Sequence, residues 1–280
     1  MIAPIVRSLS DLRARTKAWQ RADETIGVVP TMGALHQGHL SLARAAREKC
    51  DRVIVTIFVN PKQFNDPKDL ENYPRTEQED ARKLESLGVD LIYVPDPDQI
   101  YPDGFATTVS VSGLTDMLCG ESRPGHFDGV ATVVSKLFLQ TSADFAFFGE
   151  KDYQQLQVVR RMAADLDIPI AVIGCPTIRE EDGLAMSSRN LLLSDRARIK
   201  APVLAEVMND LREALLAGGR MSDLGPEAEA HLLAAGFNKV DYLELRSGRD
   251  LGLLDQAAED ARLFAAAWLA GVRLIDNIGV

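Results

Sequence analysis

Apolar runs alternate with helical patterns through the first two-thirds of this sequence, and this alternation constrains the fold more than any other feature. Five runs have the length and apolar content of buried strands: Ile26–Val29, Arg52–Val59, Asp90–Val94, Phe145–Phe148 and Ile170–Gly174. Helical patterns occur at Leu40–Lys49, Thr76–Leu87, Ala131–Gln140 and Tyr153–Leu166. Continuously apolar strands separated by helices indicate a parallel sheet that is covered on both faces. The sequence therefore predicts an α/β fold with a Rossmann-like, doubly wound parallel sheet.

The pattern changes after about residue 180. Two helical stretches come first, Asp195–Ala217 and Pro226–Ala235. Three strand-like runs close the chain: Val240–Leu245, Arg262–Trp268 and Val272–Ile278. These elements indicate a smaller α+β domain, so we expect one domain over residues 1–176 and a second over residues 177–280.

Composition excludes several classes of protein. At 280 residues and 46% apolar, the chain can bury a large core, and its net charge of −10 argues against a nucleic-acid surface. The three cysteines are isolated in the sequence, which is typical of a reducing compartment. The first ten residues lack the apolar stretch of a signal peptide, and Leu263–Leu269 is too short to span a bilayer. We therefore expect a cytoplasmic protein without a nucleic-acid or membrane partner.

Two histidines lie three residues apart around a glycine, directly after the first apolar run. His36 and His39 are thereby placed at a strand-to-helix turn, near the positive end of a helix dipole where phosphate binds readily. Gly38 lets a phosphate or a purine ring approach the backbone without meeting a Cβ atom. An imidazole can also donate a hydrogen bond to a phosphate oxygen whose negative charge grows in the transition state. The turn is therefore a candidate nucleotide site.

Two other interpretations of the histidine pair remain open. Two such imidazoles could ligate zinc, although no third ligand lies nearby and the cysteines at positions 50, 119 and 175 are isolated. The pair could also be surface histidines at a helix cap.

Two further segments carry polar groups suited to a small hydroxy acid. Asn60 and Gln63 follow the second apolar run and offer donors and acceptors for hydroxyls and a carboxylate, although Asn-Pro is also an ordinary turn. The stretch Cys119–Gly129 is crowded with glycine, proline and charge, and it contains Arg123. Such a stretch is either a solvated loop or a mobile flap over a site.

Two later segments suit phosphate. Gly149 frees the backbone after the fourth apolar run, Lys151 can contact a phosphate, and Asp152 can hold a ribose or a metal, or merely cap a helix. The segment Asp182–Asn190 carries two serines and Arg189, which can clamp triphosphate oxygens or again form a helix cap.

Taken in order, five segments closely resemble the pantoate–β-alanine ligase (pantothenate synthetase) family: PTMGALHQGH, FVNPKQF, LCGESRPGHFDGVATVV, FGEKDYQQL and DGLAMSSRN. The HxGH and MSSR motifs alone would indicate only the wider nucleotidyltransferase superfamily. The middle segments narrow the resemblance to this family. It covers most of the first 190 residues, whereas the last 90 add little by motif.

The resemblance implies an ATP-dependent ligation in two half-reactions. The carboxylate of (R)-pantoate would attack the α-phosphate of Mg²⁺-bound ATP, which gives pantoyl adenylate and releases pyrophosphate. The amine of β-alanine would then attack the acyl carbon, so that AMP leaves and pantothenate forms. The family also suggests a homodimer, a small second domain acting as a lid, and small molecules as the only other partners.

The resemblance assigns roles residue by residue. The implied catalytic residues are His39, His36, Lys151 and Arg189. His39 would stabilise the negative charge at the α-phosphate, and the positive charge of Lys151 would oppose that negative charge. The residues implied at ATP are Met32, Gly33, Ala34, Leu35, His36, Gln37, Gly38, His39, Gly149, Glu150, Lys151, Asp152, Ile178, Met186, Ser187, Ser188 and Arg189. Pantoate and β-alanine would meet Gln63 and Gln155, with Asn60 and Arg123 as accessories. No protein ligand to a metal is expected.

Two rival functions remain. An adenylyltransferase acting on a phosphorylated acceptor could use the same histidine turn, but it would need basic residues around its acceptor, whereas Asn60, Gln63 and Gln155 are neutral. A nucleotide-sensing module could bind ATP without turnover, but two histidines, a lysine and a Ser-Ser-Arg clamp are more than binding requires.

Overall fold

Two sheets of opposite character organise the chain, one parallel and one antiparallel. The computed structural model describes residues 3–65 and 67–280. A large unit contains the described residues up to Gly149 together with Gln154–Cys175, and a small unit contains Glu150–Tyr153 together with Pro176–Val280. The four residues Glu150–Tyr153 thus belong to the small unit, although their neighbours Gly149 and Gln154 belong to the large unit.

The large unit is built on six parallel strands in the order β1-β4-β3-β2-β5-β6. Their bounds are β1 (Ile5–Val6), β2 (Ile26–Thr31), β3 (Arg52–Ile57), β4 (Leu91–Tyr93), β5 (Phe145–Gly149) and β6 (Ala171–Cys175). β2 pairs with β3 on one side and with β5 on the other, so the strand order reverses there. In doubly wound sheets, ligands bind beyond the carboxyl ends of the strands at such a reversal.

Helices cover both faces of this sheet. Their bounds are α1 (Leu9–Arg21), α2 (Gln37–Lys49), α3 (Pro67–Asn72), α4 (Glu77–Glu85), α5 (Pro97–Ile100), α6 (Cys119–Ser122), α7 (His126–Thr141) and α8 (Tyr153–Asp165). Val28 and Val29 point to opposite faces of β2, and each is 0% exposed. A strand buried on both sides explains its continuous apolar run. The predicted α/β fold is therefore confirmed.

The small unit combines a three-stranded antiparallel sheet with three helices. Their bounds are α9 (Asp195–Lys200), α10 (Val203–Leu216), α11 (Met221–Ala235), β7 (Lys239–Ser247), β8 (Ala261–Leu269) and β9 (Val272–Gly279). Leu204, Met208 and Leu211 of α10 belong to one buried cluster with Leu263 and Ala265 of β8. This arrangement confirms the predicted smaller α+β domain.

The prediction of one helix over Asp195–Ala217 is wrong, because α9 ends at Lys200 and α10 begins at Val203. Pro202 lies between them, and it lacks the N–H that a continuous helix would use to bond the carbonyl of the residue four positions earlier.

Pro226 does not start a helix either. α11 begins five residues earlier, at Met221, and Pro226 lies inside it. Asp255 supports this earlier start, since its backbone oxygen accepts from the Met221 N–H at 2.7 Å and its carboxylate from the Ser222 N–H at 2.8 Å. A distant cap of this kind leaves no local signal in the sequence.

The three cysteines are free thiols, and all are buried. Burial raises the pKa of Cys50 to about 11, so this thiol stays protonated near neutral pH. Among the residues that the structure describes, no helix is long and apolar enough to cross a membrane.

Candidate active site

The turn after β2 has a backbone that local sequence preferences do not favour. Gly33 has a φ of +85° and Ala34 a φ of +51°, so an alanine occupies the left-handed region. The buried carboxylate of Asp80 on α4 stabilises this turn, since it accepts from the Ala34 N–H at 3.0 Å and from the Leu35 N–H at 2.8 Å. Lys83 donates to the Leu35 carbonyl at 2.8 Å. One helix thus holds the turn at both its donors and its acceptor.

His36 and His39 cap α2 reciprocally. Nδ1 of His36 accepts from the Gly38 N–H at 3.2 Å, and Nδ1 of His39 accepts from the His36 N–H at 3.4 Å. The two ring centroids are 4.1 Å apart. The expectation that both imidazoles lie together at the first turn of this helix matches the geometry, and the helix-cap interpretation describes part of their role.

The cap fixes the tautomer of both rings. A neutral imidazole whose Nδ1 accepts a hydrogen bond carries its hydrogen on Nε2. Both Nε2 atoms are therefore N–H donors, located at the end of the helix where an anion is favoured. Gln37 is the first residue of α2, and its exposed side chain accepts from Arg44 at 3.3 Å.

Met32 links the histidine turn to the segment after β3. Its Sδ lies 3.0 Å from Nε2 of Gln63, and both side chains are half-buried. The sequence separates these residues by a whole helix and strand, yet the fold brings them into contact.

Asn60 is buried, at 1% exposure, and four groups engage its side chain. Its amide donates to Oε1 of Gln63 and to the carbonyl of Gly129, both at 3.0 Å. Its Oδ1 accepts from the Tyr101 hydroxyl at 2.7 Å and from the Lys62 N–H at 3.3 Å. Burial raises the pKa of Tyr101 to about 12, so its hydroxyl keeps the hydrogen that it donates. Asn60 therefore holds the Gln63 side chain in place.

Arg123 and His126 hold the backbone of Gln63. Its carbonyl accepts from Nη2 of Arg123 at 3.1 Å and lies 2.8 Å from Nδ1 of His126. Nε2 of His126 lies 3.1 Å from Nη1 of Arg123. Both contacts of the imidazole are hydrogen bonds only if Nδ1 carries the hydrogen and Nε2 accepts, which is the tautomer opposite to that of His36 and His39.

The interpretation of Cys119–Gly129 as a solvated loop is wrong, whereas its role as a flap stays a prediction. Cys119–Ser122 is helical, α7 already begins at His126, and both Cys119 and His126 are buried. The glycines permit this packing, since a Cβ atom on Gly120 would lie 1.9 Å from the Thr115 carbonyl oxygen.

Two adjacent glutamines on α8 differ in burial. Gln154 is buried and holds the segment before α6, because it accepts from the Cys119 N–H at 3.0 Å and donates to the carbonyls of Leu114 and Met117, both at 2.8 Å. Gln155 is half-buried. The family resemblance assigns a role to Gln155 and none to Gln154.

In the small unit, the segment Glu150–Asp152 forms a 3-10 turn directly after Gly149. A Cβ atom on Gly149 would meet nothing within 4 Å. The Lys151 side chain is 17% exposed, and its Nζ lies 3.8 Å from Asp152. Asn277 of β9 donates to the carbonyls of Glu150 and Lys151, at 2.9 and 2.8 Å.

The segment 178–186 folds back on itself as a short hairpin. The Met186 N–H donates to the Ile178 carbonyl at 3.0 Å, Arg179 and Ala185 form an antiparallel bridge, and Gly183 makes the turn with a φ of +87°. The Ile178 carbonyl therefore accepts one hydrogen bond within the hairpin.

Ser187 caps the 3-10 turn Ser188–Leu192, since its Oγ accepts from the Arg189 N–H at 3.2 Å. The helix that follows is capped by Ser194, whose Oγ accepts from the Ala197 N–H at 3.4 Å, so Ser187 caps only the 3-10 turn. Ser188 and Arg189 are half-buried. Asn190, which is 8% exposed, donates to Glu180 at 2.7 Å and to the Ala185 carbonyl at 3.1 Å, and so joins this turn to the hairpin.

Each unit thus gathers some of the predicted segments. In the large unit, contacts at Gln63 join the histidine turn, the segment after β3 and Arg123. The small unit holds Glu150–Asp152 and the hairpin. No group of three potential metal-ligating side chains occurs in the described ranges, 3–65 and 67–280. Sequence reasoning missed Asp80, His126, Gln154 and Asn277, each of which has a hydrogen-bond partner at least 35 residues away.

Comparisons with known proteins identify similar sequences and structures. The family model described as pantoate-beta-alanine ligase matches residues 4–279. A pantothenate synthetase of Roseobacter denitrificans is 68% identical over 280 residues, which cover 100% of this chain and 99% of the relative. One of Ruegeria pomeroyi is 66% identical over 280 residues, which cover 100% of this chain and 98% of the relative.

Solved structures agree. The crystal structure of a pantothenate synthetase from Thermus thermophilus superposes with a TM-score of 0.92 at 45% identity, covering 98% of each chain. A pantoate-beta-alanine ligase from Francisella tularensis, crystallised with beta-gamma ATP and beta-alanine, gives a TM-score of 0.84 at 36% identity, covering 99% of this chain and 97% of that chain.

We predict that Gly129→Ala destabilises the protein. Alanine in a helix is ordinarily about 1 kcal/mol more favourable than glycine. Here its Cβ atom would lie 2.3 Å from the Lys62 carbonyl oxygen and 2.8 Å from the Gln63 nitrogen. We expect the free energy of unfolding in urea to fall by ~1–3 kcal/mol, as overpacking typically costs. Gly279→Ala, whose Cβ would meet nothing within 4 Å, is the control. Higher stability of Gly129→Ala would contradict the close packing.

Proposed function

This chain belongs to the pantoate–β-alanine ligase family, and from that premise we propose that it joins (R)-pantoate to β-alanine while ATP becomes AMP and pyrophosphate. The observation that carries the proposal is the reciprocal imidazole cap of α2, which follows the strand at which the sheet order reverses. Two N–H donors at a helix start suit a phosphate. The neutral amide of Gln63, in contact with Met32 of the same turn, suits the hydroxyls and carboxylate of pantoate.

A carboxylate resists attack by an amine until one of its oxygens becomes a good leaving group. We propose that a pantoate oxygen attacks the α-phosphorus of ATP, so that the bond to pyrophosphate breaks and pantoyl adenylate forms. The amine of β-alanine then attacks the acyl carbon, the bond to the AMP oxygen breaks, and the amine loses a proton. The acid oxygen that attacked phosphorus leaves with AMP.

The residues at the triphosphate would act mainly by charge stabilisation. Nε2–H of His39 donates to the α-phosphate, and His36, Lys151 and Arg189 oppose the remaining charge. The further proposed ATP contacts are Met32, Gly33, Ala34, Leu35, Gln37, Gly38, Gly149, Glu150, Asp152, Ile178, Met186, Ser187 and Ser188. Ile178 would meet the adenine through its backbone, whose carbonyl oxygen keeps a second lone pair beside the one that accepts from Met186.

Pantoate and β-alanine would contact Gln63 and Gln155, with Arg123 and Asn60 as accessories. The four protein groups that contact Asn60 use both hydrogens of its amide and both lone pairs of its Oδ1. We therefore expect Asn60 to orient Gln63 rather than to contact substrate. Arg123 already contacts the Gln63 carbonyl and would act in a similar way.

Mg²⁺ would reach the site as a complex with ATP. Mg²⁺ usually binds through substrate phosphates together with one or two carboxylates, so the phosphate oxygens would supply much of its coordination. Bound there, it neutralises phosphate charge. The proposed homodimer, the cytoplasmic location and the division into an ATP- and pantoate-binding domain of residues 1–176 and a lid of residues 177–280 stay predictions.

Isotope transfer tests the proposed reaction. With ATP, magnesium, β-alanine and pantoate labelled with ¹⁸O in its carboxylate, we expect equal amounts of AMP and pantothenate, and one labelled oxygen in each AMP. Mass spectrometry measures both. Replacing pantoate by a phosphomonoester is the control and should release no pyrophosphate, whereas an adenylyltransferase for a phosphorylated acceptor would release it. Formation of ADP with labelled inorganic phosphate would contradict an adenylate.

A pair of His39 variants tests its Nε2–H. His39→Asn keeps an acceptor near the position of Nδ1 but has no N–H near the position of Nε2, and it should lower pantoate-dependent exchange of labelled pyrophosphate into ATP by ~100- to 1,000-fold. His39→Gln places an amide N–H near the position of Nε2 and should recover part of that loss. Equal exchange rates for the two variants would remove His39 from this role.

A further inference from the structure

We propose that Asp276 and Asn277, adjacent residues near the end of the chain, position the two segments of the small unit that would meet ATP. Asn277 would set the place of Lys151, and Asp276 would set that of the hairpin leading to Ser187 and Arg189. The inference rests on the proposed function, because it assumes that these segments contact ATP.

Asn277 is buried, at 3% exposure, and its side chain holds the lysine turn by its backbone. Nδ2 donates to the carbonyl of Glu150 at 2.9 Å and to that of Lys151 at 2.8 Å, so both amide hydrogens are used. These partners lie 127 and 126 positions earlier in the chain. Two hydrogen bonds to consecutive carbonyls fix both the position and the direction of the turn.

Arg262 of β8 fixes Asn277 in turn. Its Nη1 donates to Oδ1 of Asn277, which leaves the amide hydrogens directed at the carbonyls. Its Nη2 lies 3.3 Å from the Glu150 carboxylate, and its guanidinium lies 4.1 Å from the centre of the Tyr153 ring. The Tyr153 hydroxyl donates to the Gly248 carbonyl at 3.0 Å. This network explains why Glu150–Tyr153 belongs to the small unit.

Asp276 holds the hairpin through Arg179. Its carboxylate, 2% exposed, accepts from both terminal nitrogens of Arg179, at 2.6 and 2.9 Å. Nη1 of Arg179 also donates to the Gly183 carbonyl at 3.0 Å, at the tip of the hairpin. A two-point ion pair between a carboxylate and a guanidinium sets orientation as well as distance. The hairpin therefore has a defined place relative to β9.

Asp276 and Asn277 are adjacent on β9. The hairpin and the lysine turn are therefore both positioned relative to the same strand. The Asn277 N–H donates to the Asp276 carboxylate at 2.7 Å, so the two residues are also coupled to each other. Displacement of a catalytic group by about 1 Å can cost on the order of 100-fold in rate. Removal of either attachment should therefore weaken contacts to ATP without any loss of a group that touches it.

Asn277→Leu tests the positioning role, because leucine matches the shape of asparagine and cannot donate. Titration calorimetry with a β,γ-non-hydrolysable ATP analogue should give a Kd at least about tenfold above wild type, as expected when one hydrogen bond to a charged group is lost. The control is Asp241→Leu. Asp241 is a buried carboxylate of the same sheet that accepts from Trp268 and Arg273 and does not contact the lysine turn. Its substitution should lower Tm but leave this Kd within about threefold of wild type, as expected for a site that does not couple to ATP.

A double-mutant cycle separates positioning from general damage. If Asn277 acts through Lys151, then Asn277→Leu should change the Kd by less than about threefold in a Lys151→Ala background, because coupled residues are not additive. If Asp276 acts through Arg189, Asp276→Asn should likewise change the Kd by less than about threefold in an Arg189→Ala background. Additive effects, or a Kd change for Asp241→Leu equal to that for Asn277→Leu, would overturn the proposal.

Binding and turnover report on different claims here. A wild-type protein that binds the analogue but forms no AMP with pantoate and β-alanine would overturn the proposed function, while the Kd values would still decide the positioning role. A wild-type protein that does not bind the analogue would overturn both.

Discussion

The reciprocal cap between His36 and His39 is the interaction on which the candidate site depends. Each imidazole gives its Nδ1 to a backbone N–H at the start of α2, so the helix end is stabilised by the same rings that would meet the nucleotide. Because both Nδ1 atoms accept hydrogen bonds from the backbone, the ring hydrogen of each imidazole lies on Nε2 and can be donated to a ligand. The strand order reverses at β2, which places this pair where doubly wound sheets bind ligands.

Buried and half-buried side chains, most of them distant in sequence from their partners, then hold the groups around the candidate site. The Asp80 carboxylate accepts hydrogen bonds from two N–H groups of the histidine turn. Asn60 and Arg123 donate to Gln63. Asn277 donates to the carbonyls of the lysine turn. A charged or amide group that is buried must find partners, because leaving it unsatisfied costs about 1–3 kcal/mol. Each of these residues therefore holds a segment of the candidate site in a defined position.

The sequence predicted the parallel sheet and the position of the histidine pair at a strand-to-helix turn, because the patterns for both are local. A run such as Arg52–Ile57 is apolar because it is buried on both faces, and the histidine turn carries its glycine and imidazoles within a few residues. It did not predict the break at Pro202 inside a long helical pattern, or the burial of Cys119 and His126 in a stretch rich in charge. It also missed Asp80 and Asn277, since a helix acid and a strand amide acquire their roles only from partners far along the chain.

The most direct test of the central claim is the tautomeric state of the imidazoles, measured by ¹⁵N NMR of the histidine side chains near neutral pH. The chain has only four histidines, so single substitutions assign every signal. The geometry predicts a hydrogen on Nε2 and none on Nδ1 for His36 and His39, and the opposite for His126, which serves as an internal reference. A hydrogen on Nδ1 of either His36 or His39 would contradict the cap and the donors derived from it.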